Sequence, residues 1–359
     1  MISGSRAIPI LVPEVPLAEK LMPYLKEIDE NKIYSNFGPL NQRLKDRLGK
    51  YAGVKSENIA TCSNATLAIQ GLMQTDPKDS HEWSVPVWTF TATAAAALNS
   101  GKSVKFVDTR ANWRADFSEN RVFHHSLLDV APFGDSINLA SIDTCESLII
   151  DAAPSFDAVA QIKLHTKFPV AIVISLHATK LMPAGEGAFV ISNSSEWIRR
   201  FESWTNFGMN ADRESQFVGT NAKMSEYSSA VAHASLDSWQ KIRSSVLAIS
   251  DTARQISHKF GLSTSPAMER GLATPYWVLV LNDPTQKANL IKNCEMEAIS
   301  WRDWWKHGIH RMPAYSDKVN GKFPNTDLYA SVTIGLPFHS HLTDNDFARI
   351  EQAIKRSRQ

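Results

Sequence analysis

The sequence predicts an α/β fold, and two observations carry that prediction. Short β-branched or apolar runs recur along the chain, each followed by a turn and then by residues at helical spacing, the pattern of a parallel-rich sheet covered by helices. The chain has 359 residues, 43% hydrophobic and 21% charged, too many for one small core and enough for about two or three packed modules. This composition argues against disorder, collagen and coiled coil. Lys and Arg number 38 against 37 Asp and Glu, a net charge of +1, which removes the electrostatic reason to expect a nucleic-acid or anionic-membrane partner.

The expected strands are 58–61, 83–86, 104–107, 147–150, 171–175 and 188–191, mostly short and apolar, as strands covered on both faces must be. Between them lie expected helices at 40–52, 65–74, 91–99 and 197–204. Leu17, Leu21, Leu25 and Ile28 repeat at helical spacing around Pro23, which predicts a kink there or a helix beginning near that proline. Ser225 is placed to cap a helix through Leu236, and 246–260 continues as helix. Strands at 276–281 and 331–336 and a closing helix at 344–355 complete a smaller α+β unit. The expected division is a large α/β domain over 1–245 and a small α+β domain over 246–359.

Cys62, Cys145 and Cys294 are the three cysteines, without a C-x-x-C pair, so a disulfide scaffold or zinc knuckle is not expected and a reducing compartment fits. The first residues hold only a short apolar run, Ile8 to Val12, interrupted by Pro9, too short for a signal-peptide core. No apolar tract approaches the ~20 residues that span a bilayer. The expected location is cytoplasmic.

Four local features bear on chemistry. Ser63-Asn64-Ala65-Thr66 stands at a strand–helix junction, where backbone N–H groups and hydroxyls form a ready anion site; a plain N-cap also explains it. Val85 to Phe90 runs from a strand into a turn with two aromatics, one of which could stack on a planar ring at the crevice or simply fill the core. Asp151 ends the apolar strand Leu148-Ile149-Ile150, so its carboxylate needs a cation or a hydrogen-bonding partner; it could cap a helix or hold a pyridinium nitrogen protonated. Ser175-Leu176-His177-Ala178-Thr179-Lys180 precedes Gly185-Glu186-Gly187, placing a lysine between two buried strands, where partial burial exposes an amine lone pair for Schiff-base formation. A solvated surface role remains open for any single lysine.

In that order, phosphate turn, aromatic, strand-end Asp and Ser-x-His-x-Thr-Lys with Gly-Glu-Gly, these features resemble fold-type I pyridoxal-phosphate enzymes, specifically the sugar aminotransferases of the DegT/DnrJ/StrS family. The likeness extends over most of the chain, through Ser35-Asn36-Phe37-Gly38-Pro39, the 101–108 segment, Gly219-Thr220-Asn221-Ala222-Lys223-Met224-Ser225-Glu226, and Leu336-Pro337-Phe338-His339 ahead of Leu342-Thr343. It implies a large domain on a mostly parallel seven-stranded sheet flanked by helices, with a smaller C-terminal α+β domain.

The resemblance also assigns roles. Lys180 would carry pyridoxal 5'-phosphate as a Schiff base and shuttle the proton, and Asp151 would pair with the pyridine nitrogen to keep the ring an electron sink. Phe90 matches the stacking aromatic; Ala65, Thr66 and Ser175 match the phosphate groups; Asn221 and Lys223 match a loop that reaches the neighbouring subunit's cofactor phosphate. A homodimer with shared active sites follows. Pro154 stands where the family often has His or Gln against the phenolic oxygen, and Lys223 where it often has Arg, exchanging a bidentate grip for a point charge. The implied reaction moves an amino group from L-glutamate, which leaves as 2-oxoglutarate, through pyridoxamine phosphate to C3 or C4 of a nucleotide-linked keto deoxy sugar, for cell-surface polysaccharide or glycosylated-metabolite biosynthesis. His310, Arg311, Tyr315 and His339 are candidate substrate contacts by polar type and position.

Relatives that run dehydrations carry a histidine in place of the lysine, and Lys180 favours amino transfer over that alternative; a non-sugar cyclic ketone as acceptor is another. A metal hydrolase using His307, His310, His339 and His341 lacks any His-Glu-x-x-His spacing. A sensor that only binds the cofactor conflicts with the intact Lys180 and Asp151.

Overall fold

The computed structural model describes residues 6–117, 123–139 and 142–358. Its centre is a seven-stranded sheet of β1 (Ile59–Cys62), β2 (Glu82–Pro86), β3 (Ser103–Val107), β4 (Ser126–Val130), β5 (Leu148–Asp151), β6 (Val170–Ser175) and β7 (Ala188–Ser192), in the order β1-β7-β6-β5-β4-β2-β3. β7 runs antiparallel to β1 and β6, and the remaining pairings are parallel. β4 to β7 are buried along their whole length, and β5, β6 and β7 accordingly read as nearly unbroken apolar runs. Along β6 the two faces alternate: Ile172 and Ile174 pack into one core with Leu44 and Leu48, and Ala171 and Val173 into the other with Ile69 and Leu72.

The helices covering these faces are α1 (Ala18–Asn31), α2 (Pro39–Ala52), α3 (Ala65–Gln74), α4 (Thr91–Asn99), α5 (Ser195–Thr205), α6 (Glu226–Asp237) and α7 (Trp239–Lys259). α2 starts at Pro39, whose fixed φ and missing N–H suit a first turn. Its next two N–H groups, of Leu40 and Asn41, donate to the buried Glu226 carboxylate at 2.7 and 2.9 Å, a cap supplied from the start of α6. Position 38 is glycine because a Cβ there would lie 2.7 Å from the Glu226 carboxyl carbon.

The second sheet is antiparallel, β10 (Thr333–Leu336), β9 (Trp277–Val280) and β8 (Ser263–Thr264), surrounded by α7 and by α8 (Pro266–Glu269), α9 (Pro284–Met296), α10 (Pro324–Val332) and α11 (Asp344–Arg356). α11 opens on a capping box between Thr343 and Asp346. Trp277, Leu279, Leu290, Ile334, Ile350 and Ile354 form this core, joined by Ile8, which bridges to Ile299.

Several elements differ from expectation. Position 245, the expected division, falls inside the unbroken α7, and Ile8 packs with the C-terminal core. α1 continues through Pro23; the carbonyl that loses its helical partner belongs to Glu19, an exposed residue open to solvent. β4 was not expected: its Asp129 breaks the apolar pattern, and tertiary structure compensates with Arg114, which donates to it from Nε at 2.8 Å. α9 and α10 were likewise not expected, and the strand expected from 331 begins at Thr333, where α10 ends. Among the described residues no helix is long and apolar enough to cross a membrane.

Candidate active site

The C-terminal ends of β1, β2, β5 and β6 meet at one edge of the large sheet, where ligands bind in open α/β folds. A cavity of about 920 Å³ lies there, lined also by Tyr276, Arg302, Trp304 and Trp305 from the smaller unit. Ala65, Thr66, Phe90, Asp151, Ser175 and Lys180 all line it.

Each arrives by a local rule. Asn64 caps α3 by accepting the Leu67 N–H at 2.9 Å. The first-turn N–H groups of Ala65 and Thr66 have no helical acceptor behind them, so the positive end of α3 faces the cavity. Ser175 ends β6, and its hydroxyl oxygen accepts the His177 N–H at 3.2 Å, leaving its own proton to donate. Phe90, just ahead of α4, is 57% exposed although it lines a cavity: a bare aromatic surface of this kind suits a planar ring laid against it.

Asp151 ends β5 and is buried. Thr93 donates to its Oδ2 at 2.5 Å and the Ala153 N–H to its Oδ1 at 3.1 Å. Burial pushes its carboxyl above the usual range, opposed by these two bonds and by the charge of Lys180. A cationic N–H donor entering the cavity would favour the ionised form.

Lys180 lies in the β6–β7 connection. Its Nζ donates to the Tyr276 hydroxyl at 2.6 Å. The Thr179 N–H donates to His177 Nδ1 at 3.2 Å, so the proton of a neutral His177 sits on Nε2, 3.6 Å from Glu186. The donors at α3, the exposed ring of Phe90, the buried acceptor Asp151 and the amine of Lys180 together fit an anionic, planar, cation-bearing aldehyde such as pyridoxal phosphate.

The other expected residues lie elsewhere. Lys223 Nζ donates to Asn206 Oδ1 and Asn221 Oδ1, both at 2.8 Å; neither Lys223 nor Asn221 lines the cavity of its own chain. Desolvation lowers the Lys223 pKa, and no carboxylate among the described residues pairs with it.

The four expected substrate contacts do not line this cavity, and each has an internal partner. His310 and Arg311 bind Asp327 at 3.0 and 2.7 Å, and Tyr315 bonds the Thr91 hydroxyl at 2.6 Å, anchoring the start of α4. His339 bonds the Pro9 carbonyl at 3.2 Å and borders a smaller hollow of about 60 Å³ that shares Leu11, Thr179 and Lys180 with the cavity. In their place stand Tyr276, Arg302, Trp304 and Trp305. Arg302 lies 5.0 Å over the Trp304 ring, and Gly335 makes room for that indole, since a Cβ there would collide with its nitrogen. Nothing in the spacing of these residues marks them; only a cluster of three tryptophans at Trp301, Trp304 and Trp305 was available as a signal.

The chain is 25% identical to Protein Rv3402c of Mycobacterium tuberculosis strain H37Rv, over 97% of this chain and 89% of that one. It is 29% identical to a dTDP-4-amino-4,6-dideoxy-D-glucose transaminase of Shigella dysenteriae, over 62% of this chain and 63% of the relative. Among solved structures it superposes on Helicobacter pylori PseC, an aminotransferase involved in the biosynthesis of pseudoaminic acid, with a TM-score of 0.83 at 18% identity, covering 98% and 99% of the two chains. That likeness shows the fold, which is fold type I. The family model for DegT/DnrJ/EryC1/StrS aminotransferases matches residues 16–355, nearly the whole of the chain that carries this cavity, and the protein therefore belongs to that aminotransferase family.

Proposed function

We propose that the chain moves an amino group from L-glutamate to C3 or C4 of a nucleotide-linked keto deoxy sugar, with pyridoxal phosphate as cofactor. The observation that carries this reading is that one cavity joins a lysine amine, a buried carboxylate and a helix N-terminus. The Shigella relative's substrate class adds support.

When bound, pyridoxal phosphate supplies an electron sink that acidifies the carbon bearing the amino group. Asp151 holds the ring nitrogen's proton through a charge-assisted bond, backed by Thr93 and Ala153. The N–H groups of Ala65 and Thr66 and the Ser175 hydroxyl bind the phosphate, and Phe90 covers a ring face. Lys180 anchors the cofactor and then, as a free amine, takes and returns the substrate proton. Tyr276 orients that amine. Trp304 and Trp305 exclude water, and Arg302, exposed and unpaired among the described residues, receives the diphosphate of the nucleotide sugar.

A homodimer completes the site in this reading. Val218, in the loop that carries Asn221 and Lys223, is 93% exposed, and Phe207, Phe217 and Tyr227 nearby are exposed as well, apolar surface suited to burial against a second copy. There Asn221 and Lys223 reach the other chain's phosphate.

The test is chemical. The purified protein should take up pyridoxal phosphate and turn yellow, and borohydride reduction should fix the cofactor on the peptide containing Lys180. An adduct on a different lysine refutes the assignment. Glutamate should convert the loaded protein to its amine form, and a panel of nucleotide keto sugars should reverse that conversion for the true acceptor.

A further inference from the structure

We infer that Tyr276 replaces the side chain missing at Pro154 and donates a hydrogen bond to the phenolic oxygen of pyridoxal phosphate, an assignment that rests on the cofactor reading above. Pro154 lines the cavity but has no donor to offer. Tyr276 comes from the opposite wall, immediately before β9. Its ring is buried and held edge-on by Phe133 at 5.9 Å and Trp304 at 4.7 Å, so the hydroxyl has little freedom to point elsewhere. It stands 2.6 Å from Lys180 Nζ, and among the described residues no other side chain bonds that nitrogen.

The chemistry of the cofactor makes this position informative. Its aldehyde carbon and its phenolic carbon are adjacent on the ring, so a hydroxyl in contact with the lysine nitrogen would be within reach of the phenolic oxygen. The Tyr276 oxygen accepts a hydrogen bond from the free lysine nitrogen. Once that nitrogen is joined to the ring it retains at most one proton, shared with the phenolic oxygen, and the tyrosine proton turns to the phenolate. The other titratable and charged groups around this point are Asp151 from β5, His177 and Glu186 from the β6–β7 connection, and Arg302 from the smaller unit, with Glu14 and His339 in the smaller hollow that Lys180 also lines.

The test is a visible-absorbance pH titration of protein loaded with pyridoxal phosphate, comparing wild type with Tyr276→Phe, which keeps the aromatic packing. Without its donor the phenolate holds more charge and binds the shared proton more tightly. The colour-change midpoint of the variant should therefore rise by about one pH unit. A variant that retains the cofactor with an unmoved midpoint overturns the assignment while leaving the cofactor reading intact. Should Tyr276→Phe lose the cofactor, adding Pro154→Gln should restore retention by supplying a donor from the other wall, and continued loss overturns the assignment. Wild-type protein that takes up no pyridoxal phosphate sinks both readings together.

Discussion

Thr93, in the first turn of α4, donates a 2.5 Å hydrogen bond to Oδ2 of Asp151 at the end of β5, and itself accepts the Thr89 hydroxyl at 2.7 Å. A two-hydroxyl chain thus fixes the carboxylate that the proposed function assigns to the ring nitrogen. Thr93→Val keeps the shape and removes the donor. A hydrogen bond to a charged group contributes about 1.5–3 kcal/mol, so turnover should fall by roughly one to two orders of magnitude. Steady-state kinetics beside a melting curve check this; wild-type turnover would mean that Thr93 does not tune Asp151.

Asp151→Asn separates catalysis from stability. Burial raises the Asp151 carboxyl above its ordinary 3.8 in the cofactor-free chain. The folded state therefore binds this proton more tightly than the unfolded state, and the resulting stabilisation is lost as pH rises from that value through the raised one. Without cofactor, the Asn variant should be more stable than wild type at neutral pH, with the gap closing as pH falls towards about 4. With cofactor it should lose roughly 100-fold or more in turnover, since a neutral partner does not favour the pyridinium. Thermal unfolding across pH and transaminase assays read the two effects.

Arg302 stands exposed over Trp304 at the cavity. Arg302→Ala should raise KM for a nucleotide diphosphate sugar by about 10-fold or more, the scale of one lost charge-assisted contact, with kcat little changed. A fall in kcat at constant KM would place Arg302 in the reaction step instead.

Lys223 carries its charge outside its own chain's cavity. Lys180→Ala and Lys223→Ala homodimers should each be poorly active, whereas unfolded and refolded mixtures should regain about a quarter of wild-type sites, because half the dimers are hybrids with one intact site each. No recovery on mixing would show that sites are not shared.

Much of this architecture is legible in the sequence. β1, β2, β5, β6 and β7 and the helices α2 to α6 lie where short apolar runs and caps place them, because a strand buried on both faces cannot hide its composition. β4 escapes that reading because Asp129 interrupts it, and the buried Arg114 that makes Asp129 tolerable is distant in the chain. Residues at strand ends were equally legible: Asp151, Ser175, Lys180 and the α3 cap line one cavity, since strands of a sheet deliver their C-terminal ends to one edge.

The sequence alone determined the sheet-edge half of the site, because each of its residues is set by the strand or helix immediately beside it. Only the tertiary structure decided the other half. Tyr276 reaches Lys180, and Arg302 and Trp304 line the same cavity, through long-range packing, whereas polar residues that looked equally eligible, His310, Arg311, Tyr315 and His339, bond Asp327, Thr91 and the Pro9 carbonyl. Local pattern records which residues an element must bury; it carries no record of which side chains from a distant element will meet across a cavity, since that contact is fixed by long-range packing.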